Sequence, residues 1–124
     1  MNKLDKLRSR YSSDPIAVKL GGLAANLARV ASFSKHEGNR EAVLSTLQES
    51  KWFIEWIAGE LNFQEAAELI DLQLQMALWL IQSDKEWNDN SWRSELIALS
   101  QHWSQRILQM SGLLSNIDDF VKSP

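Results

Sequence analysis

The sequence predicts an all-α protein: an antiparallel up-down-up-down four-helix bundle, with or without a short extra helix at the N-terminus. Strand signals are almost absent, because no run of β-branched residues alternates with polar ones. Apolar residues recur at helical spacing in four separate segments. The chain has 124 residues, a length that suits one domain of helices joined by short connections. We therefore expect residues 1–124 to form a single domain.

The first of the four helices is predicted to begin at the pair Asp14-Pro15. Asp14 suits the N-cap, and Pro15 suits the first helical position, where its missing N–H costs nothing. The apolar face that follows consists of Ile16, Leu20, Leu23, Leu27 and Val30. Before this helix, residues 1–12 are predicted to form a basic, solvated arm, although the helical spacing of their apolar residues would also suit a short helix.

The second helix is predicted over residues 40–61, with Val43, Leu47, Ile54, Ile57 and Leu61 on its apolar face. Asn62 then acts as N-cap of the third helix, and Glu65 stands three residues later, as in a capping box. The face predicted to enter the core consists of Phe63, Ala67, Ile70, Leu74, Ala77 and Ile81. This helix is expected to end between residues 82 and 85.

The fourth helix is predicted to start from a cap at Asn90 or Ser91, after a loop rich in Asp and Asn. Its apolar face continues through Leu96, Leu99, Trp103, Ile107, Met110 and Leu114. Residues 118–124 are expected to form a frayed tail.

A second apolar stripe lies on the opposite side of the third helix. A helix that is apolar on two sides is normally packed against other structure on both. The second stripe combines with two tryptophans of the second helix into a patch that is predicted to face outward: Trp52, Trp56, Leu69, Leu72, Met76 and Trp79. Such a patch is near or above the few hundred Å² that a soluble monomer usually shows. Three alternatives remain for what packs on this patch: another part of the same chain, a second copy in a homodimer, or a different protein or flat ligand.

The amino-acid composition excludes several kinds of metal site and catalytic nucleophile. The chain has no cysteine and two histidines, which excludes thiolate metal sites, cysteine nucleophiles and a three-histidine metal site within one chain. No cofactor is expected. Residues 1–40 carry eight basic and three acidic groups, and residues 41–124 carry five and thirteen. This asymmetry is too weak a signal for nucleic-acid binding.

No stretch approaches the roughly 20 consecutive apolar residues of a membrane span, and no export signal is recognised. We therefore expect a cytoplasmic protein without a membrane span.

Two pairs of residues offer weak candidates for catalysis. Arg29 and His36 resemble the Arg-x(4–6)-His element of HEPN ribonucleases, in which arginine binds phosphate and histidine transfers protons. Glu68 and Asp71 have the Glu-x-x-Asp spacing with which all-helical nucleotide pyrophosphohydrolases hold magnesium, but the preceding helix lacks their further acidic group. The favoured interpretations are a cation at a helix C-terminus and a solvated polar strip.

Four segments resemble a group of small, uncharacterised, all-helical cyanobacterial proteins in their general residue pattern, without a diagnostic motif: Asn26–Phe33, Glu49–Trp56, Met76–Trp79 and Arg106–Leu114. The likeness covers roughly residues 20 to 115. It implies a cytoplasmic setting and brings no activity with it.

The sequence as a whole predicts a non-enzymatic interaction or regulatory module that dimerises or docks a partner through the aromatic patch. The alternative is a HEPN-like ribonuclease or a divergent nucleotide pyrophosphohydrolase.

Overall fold

A computed structural model describes residues 2–112, and this part of the chain is helical with no strand. The five α-helices are α1 (Lys3–Ser12), α2 (Ile16–Phe33), α3 (Arg40–Ile57), α4 (Phe63–Glu86) and α5 (Asn90–Ser111). Short 3₁₀ turns, Glu37–Asn39 and Ala58–Glu60, precede α3 and α4. The prediction of an all-α protein is confirmed. Leu114 and the predicted tail at 118–124 lie outside the described residues.

Capping side chains explain where two of the helices begin. The side-chain oxygen of Asn62 accepts a hydrogen bond from the backbone N–H of Glu65 at 2.8 Å, as predicted for the start of α4. At α5 the cap is Asp89, whose carboxylate accepts from the backbone N–H of Ser91 at 2.8 Å. The prediction of a cap at Asn90 or Ser91 was therefore wrong by one or two residues.

The start of α2 also differs from the prediction. Pro15 occupies the N-cap position, without a side-chain cap. Asp14 instead belongs to the end of the preceding turn, because its backbone N–H donates to the carbonyl of Tyr11 at 3.3 Å. The prediction of Asp14 as N-cap was wrong because the chain before it is already helical and leaves only a tight connection.

The N-terminal segment folds as the short extra helix rather than as a solvated arm. Asn2 caps α1 by accepting from the backbone N–H of Asp5 at 2.7 Å. Tyr11 is the buried residue of α1. Its hydroxyl donates to the carbonyl of Lys19 at 2.8 Å, and its ring stacks on Phe53 with 4.0 Å between ring centroids. One aromatic anchor thus holds an otherwise polar helix against α2 and α3.

The remaining helices enclose one hydrophobic core. α2 packs against α3 and α5, and α4 packs against α3 and α5. The largest fully buried side chains come from all four of these helices: Leu23, Leu27, Leu47, Ile54, Ile57, Leu69, Leu72, Met76, Leu96 and Ile107. Within the described residues, α2 is also the one helix long and apolar enough to cross a membrane. Here it is the central helix of the core, and the predicted lack of a membrane span stays a prediction.

A buried arginine links the end of α2 to the junction between α4 and α5. Arg93 is 7% exposed and donates to the carbonyls of Ser34 and Trp87 and to the side chain of Asn90. Its guanidinium also lies over the Trp87 ring, 5.6 Å from the centroid. Because these partners follow α2, end α4 and begin α5, Arg93 fixes how the three helices meet.

The orientation of α4 is the main departure from the sequence prediction. The face predicted to enter the core is exposed, with Phe63 at 88%, Leu74 at 63% and Ile81 at 71%. The stripe predicted to face outward is buried: Leu69, Leu72 and Met76 are fully buried and Trp79 is 3% exposed. The helix carries apolar residues on two opposite sides, and the bulkier stripe, with methionine and tryptophan, fills the core.

Candidate interaction surface

The exposed side of α4 carries a continuous apolar stripe, which we call the α4 seam. It consists of Phe63, Ala67, Ile70, Leu74, Ala77 and Ile81, and Leu78 lies beside it. The six positions follow one another at intervals of four, three, four, three and four residues. This is the spacing of the a and d positions of a coiled coil, the pattern with which one helix packs along another. The α4 seam therefore has the geometry of a helix-binding surface.

The size of the α4 seam sets it apart from the rest of the described surface. Among residues 2–112, seven large hydrophobic residues are exposed, and five of them lie on α4. The other two, Leu4 and Val18, are on different helices. The five on α4 are 46% to 88% exposed, which corresponds to apolar area on the order of 500 Å². That is near the upper end of what soluble monomers show, and patches of this size commonly mark binding sites.

Charged side chains lie mainly at the two ends of the α4 seam: Glu65, Glu68 and Arg106 line the groove around Phe63, and Lys85 follows Ile81 by one turn. Glutamines flank it at positions 64, 73, 75 and 82. Glu68, on the side of the helix toward α5, is held by Arg106, whose guanidinium nitrogen lies 2.8 Å from the carboxylate. Asp71 is the one charged residue directly beside the middle of the seam. A partner helix could therefore cover the middle of the seam without desolvating several ionised groups, which would be costly.

The α4 seam is held on a rigid support. The buried stripe of Leu69, Leu72, Met76 and Trp79 fixes the opposite side of the helix in the core. The side-chain amide of Gln73 donates to the carbonyl of Lys51 in α3 at 3.0 Å. The helix is therefore presented to solvent in one defined rotation, which lowers the entropy cost of docking a partner.

The six residues predicted to bind a partner do not form an exposed patch. Leu69, Leu72, Met76 and Trp79 belong to the core, so the prediction that they face outward was wrong. Helical periodicity identified both stripes of α4 but could not determine which one faces the other helices.

The two tryptophans of the predicted patch are covered in part by α1. Trp56 is half-buried: its ring lies 6.0 Å from that of Tyr11, and the Arg8 guanidinium sits over it at 5.9 Å. Trp52 is half-buried and lines a cleft of about 370 Å³ between α1 and α3. Of the three covers considered for this patch, the structure supplies the first, another part of the same chain.

The catalytic candidates are not brought together. α2 ends at Phe33, so His36 lies in the following turn and not on the helical face of Arg29. Arg29 instead donates to the side chain of Asn26 at 2.7 Å, and no hydrogen bond joins it to His36 within residues 2–112. The two side chains therefore do not share a helical face, because the helix ends before His36.

The metal candidates are likewise unsupported by further ligands. Glu68 is paired with Arg106, and Asp71 is exposed. Within the described residues, no group of three or more acidic or histidine side chains is placed so that it could hold a metal ion.

Comparison with protein-family models, with curated proteins and with solved structures finds no match for this chain.

Proposed function

We propose that this protein is a non-enzymatic interaction module, a four-helix bundle of α2 to α5 in up-down-up-down order that docks a partner helix through the α4 seam. The bundle is supported by the packing of each helix against two others in the cycle α2, α3, α4 and α5. The observation that carries the function is the α4 seam itself: a coiled-coil spacing of large apolar side chains, exposed on the outside of a well-packed helix.

The proposal keeps the function class predicted from the sequence and moves the binding surface to the opposite side of α4. An exposed seam of this size is near the upper end of the apolar patches on soluble monomers, and patches of this size commonly mark binding sites. The enzymatic alternatives are not proposed, because His36 lies beyond the end of the helix that carries Arg29 and Glu68 is already paired with Arg106.

Site-specific photo-cross-linking in the native cell tests the proposal. A photoreactive amino acid replaces Leu74 or Ile81 in the seam, and Val18, which is 53% exposed on α2, serves as the matched control. We expect protein adducts from positions 74 and 81, and far fewer from position 18. Equal adduct yields at all three positions, or none at the seam, would contradict the proposed function.

A further inference from the structure

We infer that the helix docked on the α4 seam is the same helix of a second copy, running antiparallel to the first about a two-fold axis at the height of Leu72. This inference rests on the proposed function and names the partner. It follows from a symmetry within the seam, from the area that two copies would bury, and from the small number of charges beside the middle of the seam.

The spacing of the seam is the same when it is followed in either direction. Reversing one helix about residue 72 places Phe63 against Ile81, Ala67 against Ala77, and Ile70 against Leu74. Large side chains meet large ones and alanines meet alanines. A twofold interface requires a surface that is complementary to itself, and this seam meets the requirement in its spacing and in its side-chain sizes.

The two alanine pairs have a specific consequence for packing. Small side chains at the same height on both helices allow the helix axes to approach closely. Phe63 and Ile81 then close the two ends of a contact about 27 Å long, at 1.5 Å per residue. Antiparallel pairing also places the N-terminal end of each helix, where the helix dipole is positive, beside the negative C-terminal end of the other. A parallel pair would place like ends together.

The area is sufficient for a reversible dimer. With apolar area on the order of 500 Å² from each copy, two copies bury about 1,000 Å² or more once the flanking glutamines are included, which is the lower limit for a biological interface. The charge at the edge is small, because Asp71 lies at the solvated rim, where water screens the two carboxylates of a dimer from each other. We expect association in the micromolar range.

Sedimentation velocity over a range of concentrations tests whether copies associate. The wild type should change from monomer to dimer between about 1 and 200 μM. The double variant Leu74→Glu, Ile81→Glu should raise the dissociation constant by about 100-fold or more, because charges would be buried in the seam. The matched control Val18→Glu should leave the dimer intact. Circular dichroism confirms that each variant is folded.

Disulfide trapping tests the orientation, and the absence of native cysteine makes every disulfide informative. Under mild oxidation, a mixture of Ala67→Cys and Ala77→Cys chains should form the mixed disulfide, whereas each variant alone should remain largely reduced. If each variant alone links to itself, the helices run parallel and the antiparallel arrangement is overturned.

Three further outcomes would overturn the second copy as partner. A wild type that stays monomeric at 200 μM while position 74 cross-links to a different protein would refute this inference and leave the proposed function standing. A monomeric wild type that dimerises once residues 113–124 are deleted would show that the chain's own C-terminal residues occupy the seam. Monomeric behaviour without adducts at position 74 would contradict both proposals.

Discussion

Tyr11 shows how one side chain decides whether the N-terminal segment joins the fold. The segment carries basic residues at positions 3, 6, 8 and 10, and most of its surface is exposed. What holds it is the hydroxyl bond to the Lys19 carbonyl and the stack on Phe53. The sequence showed a tyrosine at helical spacing from Leu4 and Leu7, but it did not reveal the stacking partner 42 positions further along the chain.

The titration of Tyr11 provides the first prediction. Burial raises the pKa of its hydroxyl, and the carboxylates of Glu60 and Asp14 raise it further. Since this is the one tyrosine of the chain, absorbance near 295 nm reports its ionisation directly. We expect it to titrate above its ordinary value of 10.0 in the folded protein.

The raised pKa also determines how stability depends on pH. Above pH 10 the unfolded chain loses the tyrosine proton and the folded chain retains it, so the free energy of unfolding should fall as the pH rises. Tyr11→Phe should remove this part of the fall and cost about 1 kcal/mol at neutral pH, through the lost hydrogen bond. Denaturant titrations of both proteins at pH 7 to 11 check this. A parallel decline in both would contradict it.

Arg93 provides a second prediction at the same scale. Its guanidinium is buried and donates to partners from three segments, so Arg93→Met should lower the free energy of unfolding by about 3 kcal/mol. Asp84→Asn is the control: it removes the ion pair with Arg40, but the Asp84 side chain is 80% exposed. We expect it to cost less than about 1 kcal/mol. Similar losses in both variants on urea denaturation would contradict the role of Arg93.

At the scale of the helix, α4 shows what periodicity can and cannot determine. The Asn62 cap and the start of α4 were predicted correctly, because capping depends on residues that are neighbours in the chain. The end of α4, at Glu86, lies close to the predicted range. The rotation of the helix was wrong, since it depends on the space that α3 and α5 leave to be filled. Both stripes have helical spacing, and only tertiary packing distinguishes them.

Gly22 in α2 provides a prediction about how closely α1 packs. An added methyl group would lie 3.8 Å from the Tyr11 ring, which is ordinary van der Waals contact. Because glycine inside a helix is less favourable than alanine, Gly22→Ala should raise the free energy of unfolding by about 0.5 to 1 kcal/mol. Gly112→Ala is the control and should lower it, because Gly112 has φ +79°. Destabilisation by both changes, measured by thermal unfolding, would mean that α1 lies closer than described.

For the whole molecule, the sequence predicted the all-α class, and it predicted the function class that we retain as a proposal. Both rest on features that composition and spacing carry directly: helical periodicity, no cysteine and more apolar surface than one core needs. The exposed apolar side of α4 was predicted wrongly, because a surplus of apolar residues indicates that an exposed patch exists without locating it. α2 illustrates the same limit, since its hydropathy alone does not distinguish a central core helix from a membrane span.

α4 buries the stripe with Leu72 and exposes the seam with Leu74, two leucines that stand two positions apart on one helix. Leu72 is fully buried and Leu74 is 63% exposed. Urea denaturation of the Leu72→Ala and Leu74→Ala variants, at a concentration low enough to keep the protein monomeric, compares them directly. We expect a loss of about 3 kcal/mol for Leu72→Ala and less than about 1 kcal/mol for Leu74→Ala. The reverse order would mean that the α4 seam lies in the core and that α4 offers no such surface to a partner.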